Sequence, residues 1–177
     1  MTHCGLRRFR YDFHSANCEW VGGMTVTLAR VSNRLPDGFD ALRDDAEVGG
    51  QRHVSRWAAE FMGTPAMFHA IFAAYIEGNL AGVGAITDEP EPTKTPAWRM
   101  RRLYVHRQFR LRGAARAIAI ALLKEAAGKV RLVTVNAGNG HAARFWEQMS
   151  FYPVDDRGWT HERRPAIFYV PGDQART

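Results

Sequence analysis

Six arginines crowd the eighteen positions from Met100 to Ala117, and three of them, Arg110, Arg112 and Arg116, surround the run Gly113-Ala114-Ala115. Leu103-Tyr104-Val105 reads as the end of a strand, and an alanine-rich helix opens at Gly113. Amide N–H groups in the first turn of a helix lack intrahelical partners and lie at the positive end of its dipole. Glycine and alanine keep that backbone clear for an anion, and guanidinium forks pair with phosphate oxygens. The chemistry of this stretch is that of a diphosphate cradle. A basic loop that merely faces water is the competing reading.

Other reactive side chains are less organised. Counting in twos back from Val105 puts Leu103, Arg101 and Arg99 on one face of the preceding strand. If that face lines a cleft, its guanidiniums lower the pKa of an ammonium bound there and attract a carboxylate or phosphate. Alternatively these arginines reach solvent or pair with Asp88, Glu89 or Glu91. His3-Cys4 and His14-x3-Cys18 have metal-ligand types at loosely zinc-like spacing, but they fall in the least patterned part of the chain, and no metal site is assigned. Neither cysteine is near the arginine loop, so an acyl-cysteine route is not expected. His106 reads as a loop contact at the strand's end, and His141 as a surface residue in a helix's first turn.

The elements that must position these groups follow from periodicity. A strand is predicted from Met24 to Val31, then helices over Gly38–Val48 and Arg52–Met62, the second with Val54, Trp57, Ala58 and Phe61 on one face. Met67–Ile76 and Leu80–Ile86 form a hairpin about Glu77-Gly78-Asn79. An acidic, proline-rich loop (88–92) precedes a strand over Trp98–Val105. The helix over Gly113–Ala127 is closed by Gly128. A strand over Val130–Val135, a turn at 138–140, a helix over His141–Met149 and strands over Tyr152–Asp155 and about Ala166–Val170 complete the chain. The order is β-αα-β-β-β-α-β-α-β-β, a mixed α/β layout around one sheet.

A chain of 177 residues, 46% hydrophobic and 24% charged, fits one globular domain. No apolar run approaches the ~18–20 residues that span a bilayer, so no membrane association is expected. Arg7, Arg8 and Arg10 are followed by Tyr11-Asp12-Phe13-His14, which breaks the apolar stretch a signal peptide needs. Two cysteines make no disulfide framework, and a cytoplasmic setting is the expectation. The net charge is +6, and 21 of the 24 basic residues are arginine. That excess fits arginine-favouring codons as well as a phosphate-binding surface, and only placement separates the two. Residues 1–23 read as an N-terminal extension, or an upstream misassigned start, ahead of a domain over 24–177.

Arg110-Leu111-Arg112-Gly113-Ala114-Ala115, placed after Leu103-Tyr104-Val105, resembles the Arg/Gln-x-x-Gly-x-Gly/Ala signature of the GNAT superfamily of N-acetyltransferases. A second segment, Asn139-x-x-Ala142-x-x-Phe145-Trp146-Glu147-x-x-Ser150-Phe151, is similar to that family's Asn-x-x-Ala-x-x-Phe-Tyr-Glu-x-x-Gly-Phe. The resemblance spans roughly 80–154. It implies a single α/β (α+β) domain whose mixed, mostly antiparallel sheet carries helices on both faces and splits between two central parallel strands. It further implies acetyl-CoA as co-substrate, with pantetheine on the backbone of Leu103 and Val105. The diphosphate then lies on the amides of Leu111, Arg112, Gly113, Ala114, Ala115 and Arg116 beside Arg110, and Asn139 touches the pantetheine arm. An amine of a small molecule or peptide attacks the thioester directly, and a backbone N–H near Val105 steadies the oxyanion.

Two departures matter. Trp146 stands where the family often has a tyrosine acid; an indole N–H cannot release a proton near neutral pH, and it reads as packing. Tyr104 and Tyr152 are substitutes by residue type only. The family's frequent glutamate base is replaced by Arg99 or Arg101, which become the candidate acceptor-binding residues, so no catalytic residue is assigned. Further readings are an acetyl-CoA sensor without turnover, or a basic protein associated with nucleic acid. The second is disfavoured because a generic basic patch needs neither the Gly113 run nor the Asn139 segment. A homodimer is compatible with the sequence.

Overall fold

The structure, a computed structural model, describes residues 9–11, 17–20 and 25–165. Nine strands form one sheet in the order β1-β2-β3-β4-β5-β6-β7-β9-β8. The strands are β1 (Phe9–Tyr11), β2 (Asn17–Trp20), β3 (Thr25–Arg30), β4 (Phe68–Ile76), β5 (Asn79–Asp88), β6 (Ala97–Val105), β7 (Leu132–Val135), β8 (Tyr152–Pro153) and β9 (His161–Arg163). Helices α1 (Phe39–Val48), α2 (His53–Gly63), α3 (Ala114–Ala126) and α4 (Gly140–Gln148) join them. Every neighbouring pair is antiparallel except β6–β7.

The β4–β5 hairpin turns on Glu77 (φ 52°) and Gly78 (φ 76°), the two positive angles a two-residue turn needs to match strand twist. Helices cover both faces. On one, Phe39, Leu42 and Ala46 of α1 meet Val54, Trp57 and Phe61 of α2 over Ile71, Val83, Ala85 and Tyr104. On the other, α3 lays Ala117, Ile118, Ala121 and Leu122 over Ala74, Ala81 and Ile86. Alanine and glycine let that helix come close: a Cβ on Gly84 would stand 2.6 Å from Ile118 Cγ2. Each buried leucine or isoleucine here contributes about 1.5–3 kcal/mol.

The expected fold class holds, and four details differ from the periodicity. Two short strands, β1 and β2, extend the sheet beyond β3 where no strand was expected. β7 starts at Leu132 rather than Val130, because the Lys129 and Val130 amides still donate to Ala126 O of the helix end. The last described strand is His161–Arg163, and the strand expected at 166–170, like His3, Cys4 and His14, lies outside the described residues.

The fourth detail corrects the face assignment on β6. Val83 pairs with Tyr104 and Ala85 with Arg101, so two steps on β5 span three on β6. The extra residue forms a bulge with Arg102 at φ 58°. Alternation resets there: Leu103 packs on the α3 side, near Gly84 and Leu122, whereas Arg101 sits opposite Ala85 on the α1/α2 side. Leu103 and Arg101 do not share a face.

Candidate functional site

The parallel strands β6 and β7 touch only through Ala97↔Leu132, Trp98↔Val133 and Arg99↔Thr134. Beyond Arg99, β6 bends at its bulge and follows β5 to Val105, while β7 ends at Val135 against β9. The strands fork, leaving a cleft of about 910 Å³ walled by β6, the start of α3, the start of α4 and the α1–α2 junction. A buried polar cluster closes the crotch. The carboxylate of Glu89 accepts from Arg99 Nε (2.9 Å) and Nη2, from Thr134 Oγ1 and from the Glu91 amide (3.0 Å), and Arg99 Nη2 also donates to Gly158 O (3.0 Å).

Successive strand amides alternate in direction. The His106 amide donates to Ala81 O on β5 at 2.9 Å, so the Val105 amide faces the open fork. From there the chain passes a short 3₁₀ turn (Arg107–Phe109) and reaches Leu111 (φ 62°) and Gly113 (φ 91°), which aim the first amides of α3 at the cleft. The left-handed angle at Gly113 is what brings the helix start round so tightly. Gly113, Ala114, Ala115 and Arg116 all line the wall, with Leu103, Val105, Arg110, Leu111 and Asn139. Arg112 lies against the Phe109 ring. Arg110 turns back rather than outward: its Nε donates to Val105 O at 3.2 Å, and its guanidinium lies 5.7 Å from the Tyr104 ring centre. Asn139 caps α4, its side-chain oxygen accepting from the Ala142 amide at 2.9 Å.

The acetyltransferase (GNAT) family profile covers residues 36–151. The chain belongs to the GNAT acetyltransferase family. A proposed acetyltransferase from Exiguobacterium sp. 255-15 superposes with TM-score 0.69 at 19% identity, covering 78% of this chain and 93% of that one. A GNAT-family structure from Desulfovibrio desulfuricans gives 0.63 at 16%, with 80% and 99% covered. A mutant AtaT toxin bound to the C-terminus of the antitoxin AtaR and acetyl-CoA gives 0.62 at 11%, with 79% and 93% covered. No match was found among curated proteins.

Within this GNAT cleft the three β6 arginines meet three fates. Arg99, 8% exposed, is committed to Glu89 and Gly158 O. Arg102 forms a two-point pair with Glu60 of α2, Nε–Oε2 at 3.2 Å and Nη2–Oε1 at 2.6 Å. Arg101 has no such carboxylate among the described residues, and its buried Nε lacks any acceptor. Burial, then Arg102 and Arg99, lower its pKa. Glu60 and Glu89 act on it in the opposite direction, so its charge is offset at a distance and not by a bonded carboxylate among the described residues.

Two groups absent from the sequence-based candidates stand at this wall, Asp45 bonded to the cleft-lining Tyr104 and Arg107, and His53 on the lining itself. Asp45 of α1 accepts from Tyr104 Oη (2.8 Å), the Arg107 amide (3.0 Å) and Arg107 Nε (2.8 Å). Burial alone would raise its pKa, but Arg107 and Tyr104 hold it at about 2. A carboxylate three residues after Leu42 on an apolar helix stripe was the signal for it. His53, first residue of α2, sets its ring edge-on to Tyr104 at 5.8 Å and makes no side-chain hydrogen bond among the described residues. Burial, Arg102 and Arg56 lower its pKa.

The tyrosine substitutes separate cleanly. Tyr104 lines the cleft, but its hydroxyl donates a hydrogen bond to Asp45, and burial with that carboxylate raises its pKa. Tyr152 is 69% exposed on β8. Trp146 is buried between Phe145 and Phe151, edge-on to both, at 4.9 and 5.1 Å. No group of three or more His, Cys, Asp or Glu side chains suited to a metal occurs among the described residues, and no described helix is long and apolar enough to cross a membrane.

Proposed function

We propose that the chain is an N-acetyltransferase that moves the acetyl group of acetyl-CoA onto an amine of a small molecule or peptide, in a ternary complex. The observation that carries this reading is the fork between β6 and β7 opening directly onto the first amides of α3. Coenzyme A carries about four negative charges near pH 7, which suit a helix N-terminus bordered by Arg110, Arg112 and Arg116. Pantetheine would run along β6 from Val105 to Leu103, bringing the thioester carbonyl to the inward-facing Val105 amide as its oxyanion partner. Asn139, occupied as the α4 cap, offers its remaining amide donors to the same arm.

The protein's contribution is to hold amine and thioester in line; the C–N bond forms as the C–S bond breaks. Trp146 supplies packing, and the sulfur leaves as thiolate, which a thiol of pKa ≈ 8–9 tolerates. The two cysteines fit a reducing, cytoplasmic setting.

Isothermal titration with acetyl-CoA tests the cofactor half, and release of free thiol against pooled amines, amino acids and peptides tests turnover. Gly113→Val puts a branched side chain at φ 91° and over the phosphate path, and should abolish acetyl-CoA binding. A cooperative thermal melt verifies that the variant is folded. Unchanged affinity in a folded Gly113→Val protein overturns the assignment.

A further inference from the structure

We propose that Arg101 holds an anionic group of the acceptor, and that His53 takes the proton its amine must lose. This rests on the acetyl-transfer reading above and adds a substrate class and a base to it. Both residues line the cleft on the α1/α2 side; Arg101 shares a face of β6 with Tyr104, and the His53 ring meets the Tyr104 ring edge-on. Among the described residues Arg101 is the β6 arginine with no hydrogen-bonded carboxylate, and its half-buried guanidinium lines the cleft, where an incoming oxyanion can pair with it. Its neighbours cannot substitute, because Glu89 and Glu60 occupy them.

Two imidazoles line the cleft, and among the described residues His53 makes no side-chain hydrogen bond, whereas His141 meets Arg144. The groups around it are Arg56 on its own helix, Arg102 and Tyr104 on β6, Glu60 paired to Arg102, and Asp45 on α1 holding the Tyr104 hydroxyl. Two cations and burial keep the ring neutral near pH 7, as a base requires. The acceptor ammonium gives one proton to His53, which passes it to water. The freed lone pair forms the C–N bond to the acetyl carbon, the C–S electron pair leaves on sulfur, and the second surplus N–H proton ends on that sulfur. The products are the N-acetyl acceptor and CoA thiol.

Matched amines test this with the full chain and acetyl-CoA: ornithine against putrescine, phenylalanine against phenethylamine, and phosphoethanolamine against ethanolamine. The anionic member of at least one pair should have kcat/KM higher by roughly ten- to a hundred-fold, and Arg101→Gln should erase the gap through KM. His53→Gln should lower kcat by about 10²-fold near pH 7, with the loss shrinking as pH rises and the amine deprotonates unaided. Proton NMR titration of wild type should put the His53 imidazole below the ordinary ~6.5. Equal or better turnover of the cationic members, a His53→Gln pH profile identical to wild type, or an imidazole titrating above 7 overturns the proposal. If no pair turns over, titration of the CoA-bound protein with the same amines decides. Binding of an anionic member that Arg101→Gln removes supports it, and no such binding overturns it. Failure of acetyl-CoA itself to bind overturns the preceding reading instead.

Discussion

Arg99, Arg101 and Arg102 occupy four consecutive positions of β6 with Met100, yet among the described residues only Arg101 lacks a hydrogen-bonded carboxylate, and the cause lies in which carboxylate each can reach. Asp45 is the counter-example, a carboxylate saturated by three donors. Holding its pKa at about 2 instead of 3.8 corresponds to about 2 kcal/mol of stability. Because the folded value lies below the unfolded one, that stability is complete above about pH 4 and is lost as pH falls through 2. Asp45→Asn should therefore lower Tm at pH 7 by roughly 4–8 °C and flatten the Tm–pH curve between 4 and 2. A variant whose curve parallels wild type through that window would show that the carboxylate is not charged by its neighbours. Such pairings were beyond reach of the sequence because Asp45 and Arg107 are 62 positions apart and meet only once α1 folds over the end of β6. The strand-to-helix passage that lines the cleft was legible, since a strand end, a glycine and a helix start are adjacent in the chain.

At the scale of elements, the fork exists because the β6–β7 ladder stops at Arg99↔Thr134, where Glu89 ties both strands together. Its side chain is 1% exposed, and breaking a buried pair strands the opposite charge. Glu89→Gln should cost about 3 kcal/mol in urea unfolding and loosen the crotch, weakening acetyl-CoA binding as well. A loss under about 0.5 kcal/mol would mean that the cluster is no more than surface pairing. Helices and the hairpin were readable because their signals are local: the 54/57/58/61 stripe of α2, the Glu77-Gly78 turn, the alanine face of α3. The bulge at Arg102 was not, because arginine carries no propensity for φ 58° and the contacts around the kink, Glu60 at the Arg102 guanidinium and the close Gly82–Val105 approach, join residues far apart in the chain. One extra residue then inverted the inferred face of Leu103 relative to Arg101.

For the whole molecule, the open question is what the strands ahead of Met24 add. β1 and β2 join the sheet by backbone pairing outside β3, so they cap an edge instead of filling a layer. Among the described side chains, both cores are complete from Val26 onward, and the cleft draws its wall from Gly49 to Met149. We propose on that basis that 24–177 is a self-sufficient domain. A chain beginning at Met24 should fold cooperatively and bind acetyl-CoA with unchanged affinity. It should differ in association, because removing β2 bares the outer edge of β3 over Thr25–Thr27, and an unpaired edge recruits another strand. Arg30, paired to Glu125 of α3, places a charge at the far end of β3 and should limit the association to weak, concentration-dependent dimers. Sedimentation velocity at several concentrations, run beside calorimetry, separates the outcomes. A shortened chain that is monomeric and binds normally makes the extension dispensable, whereas one that loses cooperative unfolding makes the β1–β2 hairpin part of the folding unit and moves the domain boundary upstream.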